Sequence, residues 1–248
     1  MRKVWAVAHK DIHEAFRSRS TYLYIAILFF LAFSFSGTYN SVINRLTETN
    51  ANHSEIYETS QAFLINIVYI LPIMYSFFVC TIFTAYAVIV EKSKRNIESL
   101  MVTPITLKQI WLGKTLAVTV PSVLISLAVS VISYIVLDLV WVVPKVSSFI
   151  FPDALSLITA VLIVPIVIAT VVSLVIYLQM VVTNPRIPNL AFTAIFLLLF
   201  FGANFLTGMG INLNYSLIYV GLAIIIGSVS YILARSLTKE RVILSSKV

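Results

Sequence analysis

The chain has 248 residues, 60% of them hydrophobic and only 11% charged, with a mean hydropathy of +0.99 and a formal net charge of +7. A water-soluble globular domain of that composition is excluded, and the repeated apolar runs near twenty residues predict an all-α polytopic membrane protein, a single transmembrane domain over residues 1–248. The lone Cys80 excludes an intramolecular disulfide.

In chain order, residues 1–20 come first. Trp5, Ala8, Ile12 and Phe16 fall at spacings of three and four, with Lys3, Lys10, His13, Arg17 and Arg19 largely elsewhere. That pattern predicts a basic amphipathic helix lying among lipid headgroups, too long and too mixed for the leading region of a cleaved signal. His9 and His13 stand one turn apart, but Lys10 and Arg17 oppose a cation and no third ligand is near, so no metal site is expected.

Six apolar runs follow, at residues 21–39, 62–90, 115–143, 154–182, 190–206 and 215–234, and each is read as a transmembrane helix. The second, third and fourth would span about 40 Å at 1.5 Å per residue, so they must tilt, kink or project. Pro72, Pro121 and Pro165 lie inside these three runs as kink points. Of the 17 Lys and Arg, only Arg45 and Lys145 fall on one side of this topology. The positive-inside rule therefore places both termini and the long charged interval 91–114 in the cytoplasm. The basic charge is thus topological, and no nucleic-acid partner is implied. Trp5, Trp111 and Trp141 fall at the predicted interfaces.

The interval 91–114 reads as two short helical pieces. Asn96 is a good N-cap, with Glu98 favourably placed at the positive end of the helix dipole. Thr103-Pro104 repeats that logic with Pro at the first helical position. Ile97, Leu100 and Met101 share one face, which either docks into a groove on another protein or rests on headgroups.

The interval resembles the cytoplasmic loop between the second and third membrane helices of type-2 ABC export permeases. Glu91-Lys92, Glu98, Leu100, Thr103-Pro104 and Gly113-Lys114 match in order, while the Gly-Thr that the family places before its short helix is Arg95-Asn96 here. The resemblance implies a cytoplasmic coupling helix between helices 2 and 3, with Glu91, Ile97, Glu98, Leu100, Met101, Thr103 and Pro104 contacting a separate ABC ATPase subunit. It also implies an interfacial N-terminal helix, a second permease copy or sister permease as partner, and a plasma-membrane location. No cofactor is then bound directly, ATP and Mg being held by the ATPase.

No catalytic constellation is present: there is no G-x-S-x-G elbow, no zinc-type Cys/His spacing and no pair of intramembrane carboxylates. Gly113-Lys114-Thr115 looks like the tail of a phosphate-binding loop, but Lys108 stands where the first Gly is required, so it is rejected. Ion-coupled carriers usually keep ionisable groups at mid-membrane. This chain has only Asp138, near the outer end of its run. Transport would therefore be driven from outside the chain, which is not itself an enzyme. Ser76, Cys80 and Thr84, and Ser122, Ser126 and Ser130, form small polar stripes that favour close helix packing over a pore lining. Phe192, Phe196, Phe200 and Asn204 form a stripe on the fifth helix. The resemblance implies that it lines a dimer seam or substrate pathway, with Phe29 and Phe33 facing it from the first. Such a lining suits a hydrophobic or amphiphilic cargo, such as a drug-like molecule, lipid or peptide. A secondary carrier or channel working without an ATPase, and a scaffold subunit without cargo, are the alternatives.

Overall fold

The computed structural model describes residues 2–48, 53–93, 105–184, 186–208, 215–238 and 242. Among these the chain is almost wholly helical and contains no strand. Helix α1 is Arg2–Arg17 and α2 is Arg19–Glu48. Helix α3, His53–Thr84, is prolonged by a π-helical stretch at Ala85–Val90 and a last turn at Glu91–Ser93. Helix α4, Leu107–Leu137, is prolonged by a π-helical stretch at Asp138–Val142 and by Val143–Val146. Helix α5 is the rod Ala154–Val181, with a π-helical stretch at Thr159–Ile163. Helices α6 (Arg186–Gly208) and α7 (Tyr215–Arg235) complete the described order.

Four rods, Ser54–Val90, Leu107–Val146, Ala154–Val181 and Ser216–Arg235, are long and apolar enough among the described residues to cross a membrane. The chain is therefore a multi-pass membrane protein, and this is a coarser result than six crossings. The first and fifth expected runs are also helical, as parts of α2 and α6, and the apolar stretch Arg186–Leu199 of α6 is shorter than the four rods.

Helix ends run past the apolar intervals because polar residues cap them. Thr106 starts α4: its Oγ1 accepts from the Gln109 N–H at 3.3 Å, while Gln109 Oε1 accepts from the Thr106 N–H at 3.2 Å. Asp153 starts α5 by accepting from the Ser156 N–H at 3.4 Å. Pro72 and Pro121 lie in the interiors of α3 and α4, whereas Pro165 follows the π-helical stretch of α5. Ladder irregularity thus has two sources, of which the π-helical stretches carry no composition signal.

The centre of the bundle is α3, α4 and α5, which bury Leu71, Tyr75 and Val79, Val118 and Val129, and Val167, Val171 and Val175 against one another. Small polar residues let the backbones approach: Ser76 Oγ donates to Ser126 Oγ at 2.7 Å, and the Tyr75 and Ser133 hydroxyls meet at 3.1 Å. Helix α7 packs on α5, where a Cβ at Gly227 would lie 3.1 Å from Thr170. Helix α1 packs against the N-terminal part of α4. Its buried face is Val7, Ala8, Asp11 and Ala15, whereas Trp5 is 56% exposed. That departs from the expected stripe: one carboxylate is turned inward, and Phe16 reaches Phe83 with ring centroids 5.4 Å apart.

Candidate functional site

The segment that carries Ile97, Glu98, Leu100, Met101, Thr103 and Pro104 lies outside the described residues, but both of its roots are described. They are not loose strands of loop. At the first root, Glu91 is 2% exposed and Lys92 is half-buried. At the second, Gly113 and Lys114 lie two turns into α4, and Lys114 is fully buried.

Four charged side chains meet there. Lys114 Nζ donates to Glu91 Oε2 at 2.6 Å and to Asp11 Oδ2 at 3.2 Å. Lys10 Nζ, on the half-exposed edge, donates to Glu91 Oε1 at 2.8 Å. The cluster is neutral overall, and that neutrality is what makes burial tolerable, because a lone buried ion costs several kcal/mol. The backbone contributes as well. The Glu91 N–H bonds to Val88 O rather than to Ala87 O, its usual α-helical acceptor, and Lys114 Nζ donates to Ala87 O. The π-helical stretch thus presents a carbonyl to the buried ammonium, and the Tyr86 hydroxyl in the same stretch meets the Ser18 hydroxyl at the end of α1.

The two carboxylates respond differently. Burial pushes the Glu91 carboxyl upward, but Lys114 and Lys10 outweigh it and hold the group below the usual range. Burial dominates at Asp11 and, with the Glu91 charge adding to it against Lys114, raises that carboxyl to about 6. Glu91 is therefore the ionised anchor and Asp11 the weaker partner. Lys10 is raised: burial lowers it, and Glu91, by hydrogen bond and charge, more than compensates.

Gly113 explains how α1 comes so close. A Cβ there would sit 2.9 Å from Val7 Cβ and 3.0 Å from Val4 O, so only glycine allows this approach. Lys92 fastens the first root to a third rod: its Nζ donates to Gln179 O at 2.9 Å and Val182 O at 2.8 Å, the free carbonyls at the end of α5. Burial lowers its pKa. Trp111, one turn before Lys114, donates its Nε1–H to Ser173 O at 3.0 Å. Both roots are thereby tied to α1 and α5.

Of the aromatic stripe, Phe192 is buried and both it and Phe196 stack on Phe77 of α3, with ring centroids 5.0 and 3.9 Å apart. These contacts lie within the chain. Phe29, Phe33, Phe200 and Asn204 fall on α2 and α6, and their side chains are not among those described. The sequence pattern carried no sign of Asp11 or Phe77, set Lys10 on the basic face of a headgroup helix and put Lys114 in the charged interval 91–114. Also unread was the Thr106-x-x-Gln109 capping box, whose signature stands in the sequence.

A model of the family described as ABC-2 family transporter protein matches residues 5–238. No curated protein and no solved structure matches the chain.

Proposed function

The chain belongs to the ABC-2 transporter family, and from that premise we propose that it is the permease subunit of an ABC exporter, driven by a separate ATPase that grips residues 94–104. In this reading the chain crosses the plasma membrane six times, with α2 and α6 as the first and fifth crossings and both termini in the cytoplasm. Helix α1 lies in the headgroup plane, and residues 1–248 form one transmembrane domain that pairs with a second copy or a sister permease. Ile97, Glu98, Leu100, Met101, Thr103 and Pro104 form the coupling surface, whereas Glu91, expected among the ATPase contacts, is buried against Lys10 and Lys114 and serves as an anchor instead. ATP and Mg are bound by the ATPase alone. A hydrophobic or amphiphilic cargo passes along the seam marked by Phe29, Phe33, Phe192, Phe196, Phe200 and Asn204.

The observation that carries this reading is the bracing of both roots of that segment by the buried cluster of Lys10, Asp11, Glu91 and Lys114. A segment that merely rested on headgroups would need no such anchor. Any force delivered to residues 94–104 enters at Glu91 and Lys92 and is shared at once by α1, α4 and α5.

The test is coupled transport with the full complex in vesicles. Glu98→Lys, and Thr103→Gly combined with Pro104→Gly, should abolish substrate-stimulated ATP hydrolysis while membrane insertion stays normal. Unchanged transport in both variants rules out this segment as the coupling point, and solute movement by the chain alone without ATP favours a secondary carrier.

A further inference from the structure

At the end of the bundle that holds the turn between α4 and α5, that turn and α3, α4 and α5 line a half-open cavity of about 290 Å³. Its walls are almost entirely hydrocarbon: Pro72 from α3, Phe149 and Phe151 from the turn, Leu157 and Val161 from α5. An ordered water needs about two to four polar partners, and this lining offers almost none. The aromatic wall is held in place. Tyr134 donates its O–H to Ile150 O at 2.6 Å, Asp138 Oδ2 accepts from the Ile150 N–H at 3.1 Å, and the flanking Phe149 and Phe151 rings meet edge to face at 4.8 Å.

One polar group breaks the hydrocarbon lining. Ser130 on α4 is 8% exposed, lines the cavity, and its hydroxyl has no hydrogen-bond partner among the described residues. A buried hydroxyl is normally satisfied. On the same helix Ser126 pairs with Ser76 and Ser133 with Tyr75, while Thr119 and Ser122 are also unpaired among the described residues but do not line the cavity. The methylene chain of a bilayer lipid carries no acceptor along its length, so it would fill the space yet leave the hydroxyl unpaired.

We propose that this cavity is a binding site for a compact, uncharged lipophile carrying one hydrogen-bond acceptor, which takes the Ser130 proton while its rings or alkyl groups fill the space against Phe149 and Phe151. The site is separate from the stack of Phe77 on Phe192 and Phe196 and from the braced roots. Its fate is independent of the transport reading.

Benzophenone is a suitable probe, being an uncharged aryl ketone that cross-links to adjacent C–H bonds on illumination. Diphenylmethane has the same two rings without the acceptor. In membranes containing the full chain, labelling at limiting benzophenone should map to peptides covering residues 127–135 and 149–161, and diphenylmethane should compete about tenfold more weakly than unlabelled benzophenone. Ser130→Ala should lower the labelling about tenfold and erase the difference between the two competitors. Leu157→Trp or Val161→Phe, which fill the cavity from its lipid-facing rim, should remove labelling while Ser130 is intact. Wild-type labelling in Ser130→Ala, or equal competition by the two compounds in the unaltered chain, overturns the assignment of the hydroxyl and leaves an acyl-chain groove. Labelling spread equally over outward-facing residues of α7 such as Ile224 overturns the site itself.

Discussion

Replacing Lys114 by methionine tests the buried cluster most directly. The side chain is fully buried and serves Glu91 at 2.6 Å, Asp11 at 3.2 Å and the Ala87 carbonyl. Methionine keeps the volume and removes the charge, leaving two buried carboxylates with only the half-exposed Lys10 to answer them. Breaking a buried ion pair from one side costs about 3–5 kcal/mol, mostly as the uncompensated charge that remains. Removing the carboxylate charges too, as Lys114→Met with Asp11→Asn and Glu91→Gln, takes away that residual charge and should restore most of the loss. The assay is unfolding of the purified chain in mild detergent, titrated with a denaturing one, for the three single variants and the triple. Strong non-additivity is the signature of residues that share one network. If the triple variant is as unstable as the sum of the singles, the cluster is not an electrostatic unit and the bracing argument falls.

Three further outcomes follow from the same geometry. Gly113→Ala places a Cβ against Val7 and the Val4 carbonyl, so it should cost about 1–3 kcal/mol and lift α1, seen as faster maleimide labelling of a cysteine placed at the buried Ala8 position. Lys92→Met strips the cation from the end of α5 and should cost about 1–2 kcal/mol, raising hydrogen exchange at residues 178–182; unchanged exchange there refutes the cap. The third concerns pH. Asp11 titrates near 6 in the fold against an ordinary 3.8, so between those values the native chain holds a proton that the unfolded chain has released. Its contribution to stability is complete below about 4 and is lost as pH rises through about 6. Glu91, held below its usual range, contributes above that range and is lost as pH falls through its lowered value. Unfolding midpoints of the parent and Asp11→Asn should therefore change their spacing between about pH 4 and pH 6, with Glu91→Gln the costlier change at pH 7.5. Parallel curves contradict the assignment.

The helical rods were legible because membrane helices announce themselves by length: α5 and α7 begin within a residue of the apolar runs that predict them. Other features left no local trace. Asp11 reads as one more polar residue on a basic helix, since its partner Lys114 is 103 residues away and pattern reading carries no pairing information. Lys114 stands at the head of an apolar run, so it counts naturally toward cytoplasmic charge, although it is buried. The π-helical stretches have no composition of their own. The small polar stripes behaved as a packing surface at one point, where Ser76 meets Ser126, while Ser130 of the same stripe lines a cavity, and Phe77 decided what two members of the aromatic stripe touch.

Why retain four charges where an apolar contact would serve stability as well? Buried ion pairs are seldom better than well-packed hydrocarbon, so their value lies elsewhere. Apolar surfaces slide past one another at little cost, whereas Lys114 reaches two carboxylates and a carbonyl from one atom, and a shift of even one turn would leave all three unpaired. The cluster therefore fixes the register of α1 against α4 at the depth where the segment 94–104 departs. Glycine at 113 adds a steric key to that electrostatic one, because a single position along α1 offers the gap it fits. Lys92 then ties the same turn to α5 through main-chain carbonyls, which cannot rotate away as a side chain could. In the proposed reading, motion arriving at this root is passed on as displacement of whole rods, since the local alternatives each expose an unpaired charge.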